Sequence, residues 1–394
     1  MKLYIIPSWY SIRNDESSTS YFREQAQALS ERGNDVTVIN IRLLSISNIG
    51  KKKFISKKIW QDGNVRTILY ETLVPIIGKL ASLQEKYISS LYYKIIKNQI
   101  EKDVLNGLGK PDLIHAHISH NCGFYCIKAK QKCNVPLVVT EHFSGLLIGN
   151  IKPREYDRVK ETINQSDAFI FVGTNLQQKV VDKLNIQKKT FFIPNMVDEN
   201  NFYISDNPKR NDSFTFLTAC GLKKNKSVDL VIKAFHQTFA DSEKVKLIIA
   251  GDGVERLNLE KLVCDLGENQ RISFFGKYSK RQSSELFANS NAFVLTSQIE
   301  TFGIVYVEAL LSGVPCIGTK GQGPEDIINE SNGFKVQYGD IEELSNKMRI
   351  LYDSGKKFDS QKLRNDAIAN FSKETICNKI EKIYQYVLER ENNL

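Results

Sequence analysis

At 394 residues the chain exceeds what one ordinary hydrophobic core fills, so two domains, or three, are expected, and 41% hydrophobic with 25% charged residues is a globular balance. The longest apolar runs, such as Leu247-Ile248-Ile249-Ala250, are strand length, which excludes a spanning helix of about 18 apolar residues, and the opening MKLYIIPSWY reads as a strand rather than a signal peptide. Seven cysteines without a secretion signal are expected as thiols in a cytoplasmic protein, and a net charge of +9 points to an anionic partner without choosing among nucleic acid, a phosphorylated ligand and an acidic membrane.

From the start, apolar runs of strand length alternate with helical patterns, the signature of parallel α/β units. KLYIIP (2–7) is a strand, a polar loop (10–20) leads to a helix near 20–32 that stops at Gly33, and DVTVIN (35–40) is a second strand. DLIHAH, PLVVTEH, AFIFVG and TFFIP each read as buried β-runs, which makes a doubly wound sheet. Residues 41–106 break the rhythm with KKKFISKK and a long helical pattern, SLQEKYISSLYYKIIKNQIEKDVL. Its lysines allow two readings, a packing helix with a solvated basic face or a surface for an acidic membrane or lipid-linked acceptor. A second alternation follows Pro194-Asn195, with strands expected at 214–220, 245–250, 271–275, 291–296 and 314–318. The resulting expectation is two α/β halves joined near residue 197, with ligands outside the C-terminal strand ends and a cleft where those ends face.

The segment SQIETFGIVYVEALLSGVPCIG (297–318) carries two glutamates, Glu300 and Glu308, around a Thr-Phe-Gly turn. They could be an acid/base pair, two caps, or two grips on one ligand. The turn opens a helix that Gly313 ends, its unpaired N–H groups form an anion site, and Gly303 lets backbone approach a ligand closely. Eight residues of helix rise roughly 12 Å, too far to share a proton, which removes the dyad.

In S-x-x-E-x-F-G-x-x-x-x-E-A-x-x-x-G-x-P, this stretch resembles the E-x7-E signature of the retaining glycosyltransferases of family 4, which have the GT-B fold. FIPNMVDENNF (192–202) is similar to the family's interdomain linker, KSVDLVIKAF (226–235) to its "K-G-x-D-x-L-I-x-A-F", LIIAGDGVERLNLEKL (247–262) to its "G-x-G-x-x-x-x-x-L", and PDLIHAH and VPLVVTEH to two strands of its first half. The resemblance covers nearly the whole chain, and its more specific motifs lie in the C-terminal half.

The resemblance implies an α/β GT-B fold of two Rossmann-like, doubly wound domains facing across a cleft: 1–196 for the acceptor, 197–372 for the nucleotide sugar, and a helix, 373–394, that crosses back. It implies Glu300 beside the donor sugar, the backbone of Phe302, Gly303 and Ile304 at sugar and phosphate, Glu308 on the ribose hydroxyls, and Lys226 on the diphosphate. That arrangement suits the chemistry, because breaking a sugar–diphosphate bond develops negative charge on the leaving phosphate and needs preorganised cations and N–H groups. Gly251 falls in the family's glycine segment, the base falls at Gly276-Lys277-Tyr278, and the glycines of GQGPEDI (321–327) read as a donor-side loop or a plain turn. The family usually has an arginine five residues before the lysine; here Gly221 stands there, leaving Lys223 or Lys224 to replace the contact. In place of the family's first glycine-rich loop, Ser18, Thr19 and Ser20 are expected to cap a helix or bind phosphate oxygens. His142 resembles the family histidine that faces donor sugar and acceptor.

The cluster of His115, His117, His120, Cys122, Cys126 and Cys133 suggests zinc, yet the histidines alternate faces along a strand and the cysteines fall at helical core spacing. No D-x-D occurs either, so neither metal nor cofactor is expected. The expected function is transfer of a sugar, with retention, from a nucleotide diphosphate sugar to a glycan hydroxyl in cell-surface polysaccharide synthesis (capsule, O-antigen or exopolysaccharide), on a lipid-linked acceptor or at the inner membrane surface. A nucleotide-sugar epimerase of the same fold and a catalytically silent nucleotide-sugar-binding subunit are the alternatives. Nucleic acid is disfavoured because the positive charge is not interleaved with aromatic stacking motifs.

Overall fold

The computed structural model describes residues 1–10, 21–45, 55–74, 81–205, 213–353 and 358–391. It divides into one unit of Met1–Val172, Gln177–Ile193 and Cys377–Leu394, and a second of Gly173–Leu176 and Pro194–Ile376.

In the first unit the chain runs β1 (Lys2–Ile6), α1 (Tyr21–Glu31), β2 (Asp35–Ser45), β3 (Ile55–Asp62), β4 (Val65–Val74), α2 (Ala81–Leu105) and β5 (Leu113–His117). It continues through α3 (Phe124–Cys133), β6 (Leu137–Glu141), α4 (Gly145–Ile148), α5 (Pro153–Gln165), β7 (Ala168–Phe171), α6 (Thr174–Leu184) and β8 (Phe191–Phe192). The strand order is β3-β4-β2-β1-β5-β6-β7-β8. Every strand pair is parallel except β3 with β4. β1, β5, β6 and β7 are buried along their whole length, as strands covered on both faces must be, which is why they read as unbroken apolar runs.

Two expectations change. The segment that broke the rhythm contains a hairpin: β2 runs on to Ser45, and β3 returns on β4 from Asp62 to Val65 around Gly63, at φ 61°. Its Asp-Gly turn is a hairpin signal, but the lysines of an edge strand hide the alternation. The strand expected over TFFIP shrinks to Phe191–Phe192 at the sheet edge, where Pro194 offers no ladder donor.

α2, the long lysine-bearing helix, is tied to this sheet by a buried polar cluster. Asp103, fully buried, accepts from Tyr4 Oη of β1 at 2.5 Å, from Gln99 Nε2 at 2.7 Å and from both Nη atoms of Arg66 on β4. Burial pushes its carboxyl up, but the bonds from Arg66, Tyr4 and Gln99 outweigh it and hold the group below its ordinary range.

The second unit holds β9 (Phe214–Ala219), α7 (Val228–Phe239), β10 (Val245–Ala250), α8 (Arg256–Asp265), β11 (Ile272–Gly276), α9 (Lys280–Ala288), β12 (Ala292–Val294) and α10 (Ile304–Leu311). After these come β13 (Cys316–Thr319), β14 (Gly333–Val336), α11 (Ile341–Asp353), α12 (Ser360–Phe371) and α13 (Lys373–Glu391), whose residues from Cys377 onward belong to the first unit. Its strands, in order β11-β10-β9-β12-β13-β14, are all parallel. All seven cysteines are free thiols.

Candidate active site

In the second sheet β9 lies between β10 and β12, so the winding reverses beside β9. Such a switch point opens a crevice at the C-terminal strand ends. The loops there are locked to one another by backbone. Leu222 N donates to Asp252 O at 3.0 Å, Glu255 N to Leu222 O at 3.1 Å, and Gln298 N to Asn225 O at 2.9 Å. Glycine makes the approach possible: at Gly251 (φ 124°) a Cβ would stand 1.8 Å from Cys220 O.

On this frame Lys226 Nζ and Glu300 Oε2 form a 2.6 Å ion pair, with the side chains 21% and 14% exposed. Lys226 closes a short 3-10 turn, Lys224–Lys226, held by Ser227 in the left-handed region (φ 51°). Glu300 is fixed through its backbone: its N–H donates to Gln322 Oε1 at 3.3 Å and its carbonyl accepts from Gly323 N at 2.9 Å. The glycine loop read as donor-side thus serves first as a brace for Glu300, and a Cβ on Gly323 would fall 2.3 Å from Phe302 O. Gly303, at φ 93°, turns the chain into α10 over the Tyr306 ring, and Phe302 is buried beneath. Ile304 is the first helical residue, so the helix start carries first-turn N–H groups, of which that of Tyr306 is taken by Gly303 O at 3.0 Å.

The helical rise expected between Glu300 and Glu308 does not hold. Because α10 begins only at Ile304, the eight residues from Glu300 to Glu308 are not a continuous helix and their separation is not a helical rise. What separates the two carboxylates is their company. Glu300 has Lys226, whereas Glu308 acts on the Tyr278 hydroxyl, which burial pushes well above its ordinary range with Glu308 and Cys220 adding to the shift.

Cys220 was not singled out by sequence. Its thiol is pushed up to about 12 by burial, with Lys226 lowering it and Glu300 raising it, so it is a neutral group. Thr296 and Ser297, buried with unpartnered hydroxyls on the approach to Glu300, were also missed, although Ser297 opens the quoted motif. Gly221 is exposed and a Cβ there meets nothing within 4 Å. Lys223 and Lys224 are exposed and line a separate depression of about 260 Å³ with Asp229, Glu255 and Asn258. Lys277 is exposed after β11.

In the first unit, His142 Nε2 lies 3.2 Å from Nδ1 of buried His117, with the rings of Tyr21 and Phe22 at 5.1 Å and 5.2 Å. Burial, with His115 and His142 nearby, holds His117 well below its ordinary range, so it is neutral. The neighbouring Glu141, fully buried, accepts from Ser119 N at 3.0 Å, Ser119 Oγ and Phe143 N at 2.8 Å, and so fixes the backbone on both sides of His142. Both ring nitrogens of His115 are taken by Tyr384 and Thr140 hydroxyls, and among the described residues no group of three or more His, Cys, Asp or Glu is arranged to hold a metal. Ser18, Thr19 and Ser20 lie outside the described residues.

Two α/β units, one with a cation–carboxylate pair and a helix start at its switch point, are the architecture of a glycosyltransferase of the GT-B fold. The family description "Glycosyltransferase Family 4" matches residues 18–201 and "Glycosyl transferases group 1" matches residues 199–373. The chain is 27% identical to the N-acetyl-alpha-D-glucosaminyl L-malate synthase of Bacillus anthracis over 294 residues, 72% of this chain and 76% of that one. In fold it is similar to a sucrose-phosphate synthase from Thermosynechococcus elongatus (TM-score 0.76, 17% identity, 99% of each chain). It is also similar to HepE of Anabaena in complex with UDP (TM-score 0.75, 18% identity, 98% of this chain and 100% of that one). The chain belongs to glycosyltransferase family 4.

Proposed function

We propose that the protein moves a sugar, with retention of anomeric configuration, from a nucleoside diphosphate sugar to a hydroxyl of a glycan acceptor in the synthesis of a cell-surface polysaccharide. The observation that carries the reading is the Lys226–Glu300 pair at the switch point of the second unit. Lys226 supplies the positive charge that a departing diphosphate needs, the N–H groups at the start of α10 supply oriented dipoles, and Glu300 stands where the donor sugar would meet both. Glu308 is assigned to the ribose hydroxyls, and Lys277 with Tyr278 to the base. Gly251 is assigned to the loop frame beneath the phosphates, and Lys223 or Lys224, which line the neighbouring depression, to the phosphate contact that Gly221 does not supply. His142, backed by a neutral His117, is assigned to the acceptor. We assign the acceptor to a lipid-linked glycan at the cytoplasmic face of a membrane, supported by the lysines exposed along α2.

The test is a panel of nucleotide sugars incubated with and without membrane extract, following nucleotide release and product. Release that needs the extract, with the product anomer matching the donor by proton coupling, supports retaining transfer. An isomer formed without extract would instead identify an epimerase, and binding without turnover a silent subunit.

A further inference from the structure

The first unit has a switch point of its own. β1 is paired with β2 on one side and β5 on the other, so the winding reverses at β1 and opens a crevice beyond Ile6 and His117. There lies a cavity of about 270 Å³, walled by Ser8, Trp9 and Tyr10 after β1, by Asn40–Leu43 of β2, by Tyr92 of α2, and by Asn121. β2 forms the wall because it outruns β1: the last pair between them is Ile5 with Val38, and β2 continues to Ser45. Asn121 sits in a π-type turn, Ser119–Gly123, entered through Ile118 at φ 74°, a conformation that a β-branched residue rarely adopts.

Three polar side chains of this cavity are uncommitted. Among the described residues the Asn40 carboxamide, in a residue only 3% exposed, forms no hydrogen bond, and neither does the Asn121 carboxamide or the Trp9 indole N–H. A nearly buried amide left open is unusual and points to a ligand or water as its partner. Among the described residues of the lining the one cation, Arg42, pairs with buried Glu71 at 3.4 Å, so these residues present no unpaired cation to a phosphate or carboxylate. Trp9, 53% exposed, presents an aromatic face at the mouth. An apolar ring face, open amides and balanced charge fit an uncharged pyranose, and the volume falls just below the usual range for drug-sized ligands, roughly 300–1,000 Å³, so it holds about one ring. The cavity is coupled to His142 by Phe22, whose ring centroid is 5.0 Å from that of Trp9 and 5.2 Å from that of His142.

We infer that this cavity is an acceptor subsite for one neutral pyranose, stacked on Trp9 and hydrogen-bonded by Asn40 and Asn121. The inference rests on the transferase reading and adds to it the class of acceptor sugar.

The chain has two tryptophans, so Trp60→Phe leaves Trp9 as the sole emitter. Titrating that protein with methyl glycosides of neutral hexoses and N-acetylhexosamines, and in parallel with a hexose phosphate and a methyl uronide, reads the subsite by fluorescence. A saturable shift with at least one neutral glycoside, weakened at least tenfold by Asn40→Ala or Asn121→Ala, is expected. Tighter binding of a charged sugar would overturn the inference, as would an unchanged response in both asparagine variants. Nucleotide binding by thermal shift in the same preparation separates the two readings: no glycoside response with nucleotide binding retained overturns the subsite alone, and loss of both overturns the donor reading.

Discussion

Replacing Glu300 by glutamine is expected to abolish transfer and at the same time to tighten binding of the free nucleoside diphosphate. In the unliganded protein Lys226 is engaged by Glu300 at 2.6 Å, so a diphosphate must compete with a carboxylate for the same ammonium. An exposed pair is worth roughly 0–1 kcal/mol, and losing one partner of a fully buried pair costs roughly 3–5 kcal/mol. With side chains 21% and 14% exposed, this pair falls between, at about 1–2 kcal/mol. At about 1.4 kcal/mol per decade, relieving that competition lowers the nucleoside diphosphate Kd by roughly 5- to 30-fold. Glutamine keeps the shape, and the backbone anchors from Gln322 and Gly323 do not involve the carboxylate. Calorimetric titration of wild type and Glu300→Gln with the same diphosphate, beside an assay of sugar transfer, reads both effects. Weaker binding in a folded variant, or wild-type turnover, would refute the competition and the role given to Glu300.

Two glycines in the loops at the switch point are expected to diverge. Gly251→Ala places a Cβ 1.8 Å from Cys220 O at φ 124° and is expected to cost roughly 3 kcal/mol or more, with loss of nucleotide binding. Gly221→Ala enters open space and should stay within about 0.5 kcal/mol by thermal melts. Asp103→Asn, leaving Arg66 without its counter-charge, is expected to lower stability by roughly 2–3 kcal/mol. Because the folded carboxyl lies below its unfolded value, its contribution is fully present above the ordinary carboxylate range and is lost as pH falls through the lowered value. The acid limb of a stability profile should therefore be shallower in the asparagine variant. Sugar transfer is expected to be unchanged by EDTA; a loss restored by Mg²⁺ would reverse the expectation of metal independence.

The buried strands were legible because a strand covered on both faces must be apolar throughout, as in LIHAH and LVVTE. The hairpin of β3 and β4 was not, since edge lysines at 57 and 58 read as a charge run until β4 is set beside them. The glutamates, the lysine and the turn glycine of the second unit could be named because short stretches around them resemble the family's motifs, whose residues are close in sequence. Their pairing could not. Lys226 and Glu300 are 74 residues apart, and only the packing of the β9 and β12 loops, with Asn225 O accepting from Gln298 N, brings them to 2.6 Å. The same holds for Cys220, which feels both charges, and for the cavity at Trp9, where four stretches remote in sequence meet because β1 lies between β2 and β5. Sequence by itself determined the α/β class, the family and the residue types available for binding a donor. Tertiary structure decided which charges meet and which amides stay open, because those depend on distances set by strand order rather than by spacing along the chain.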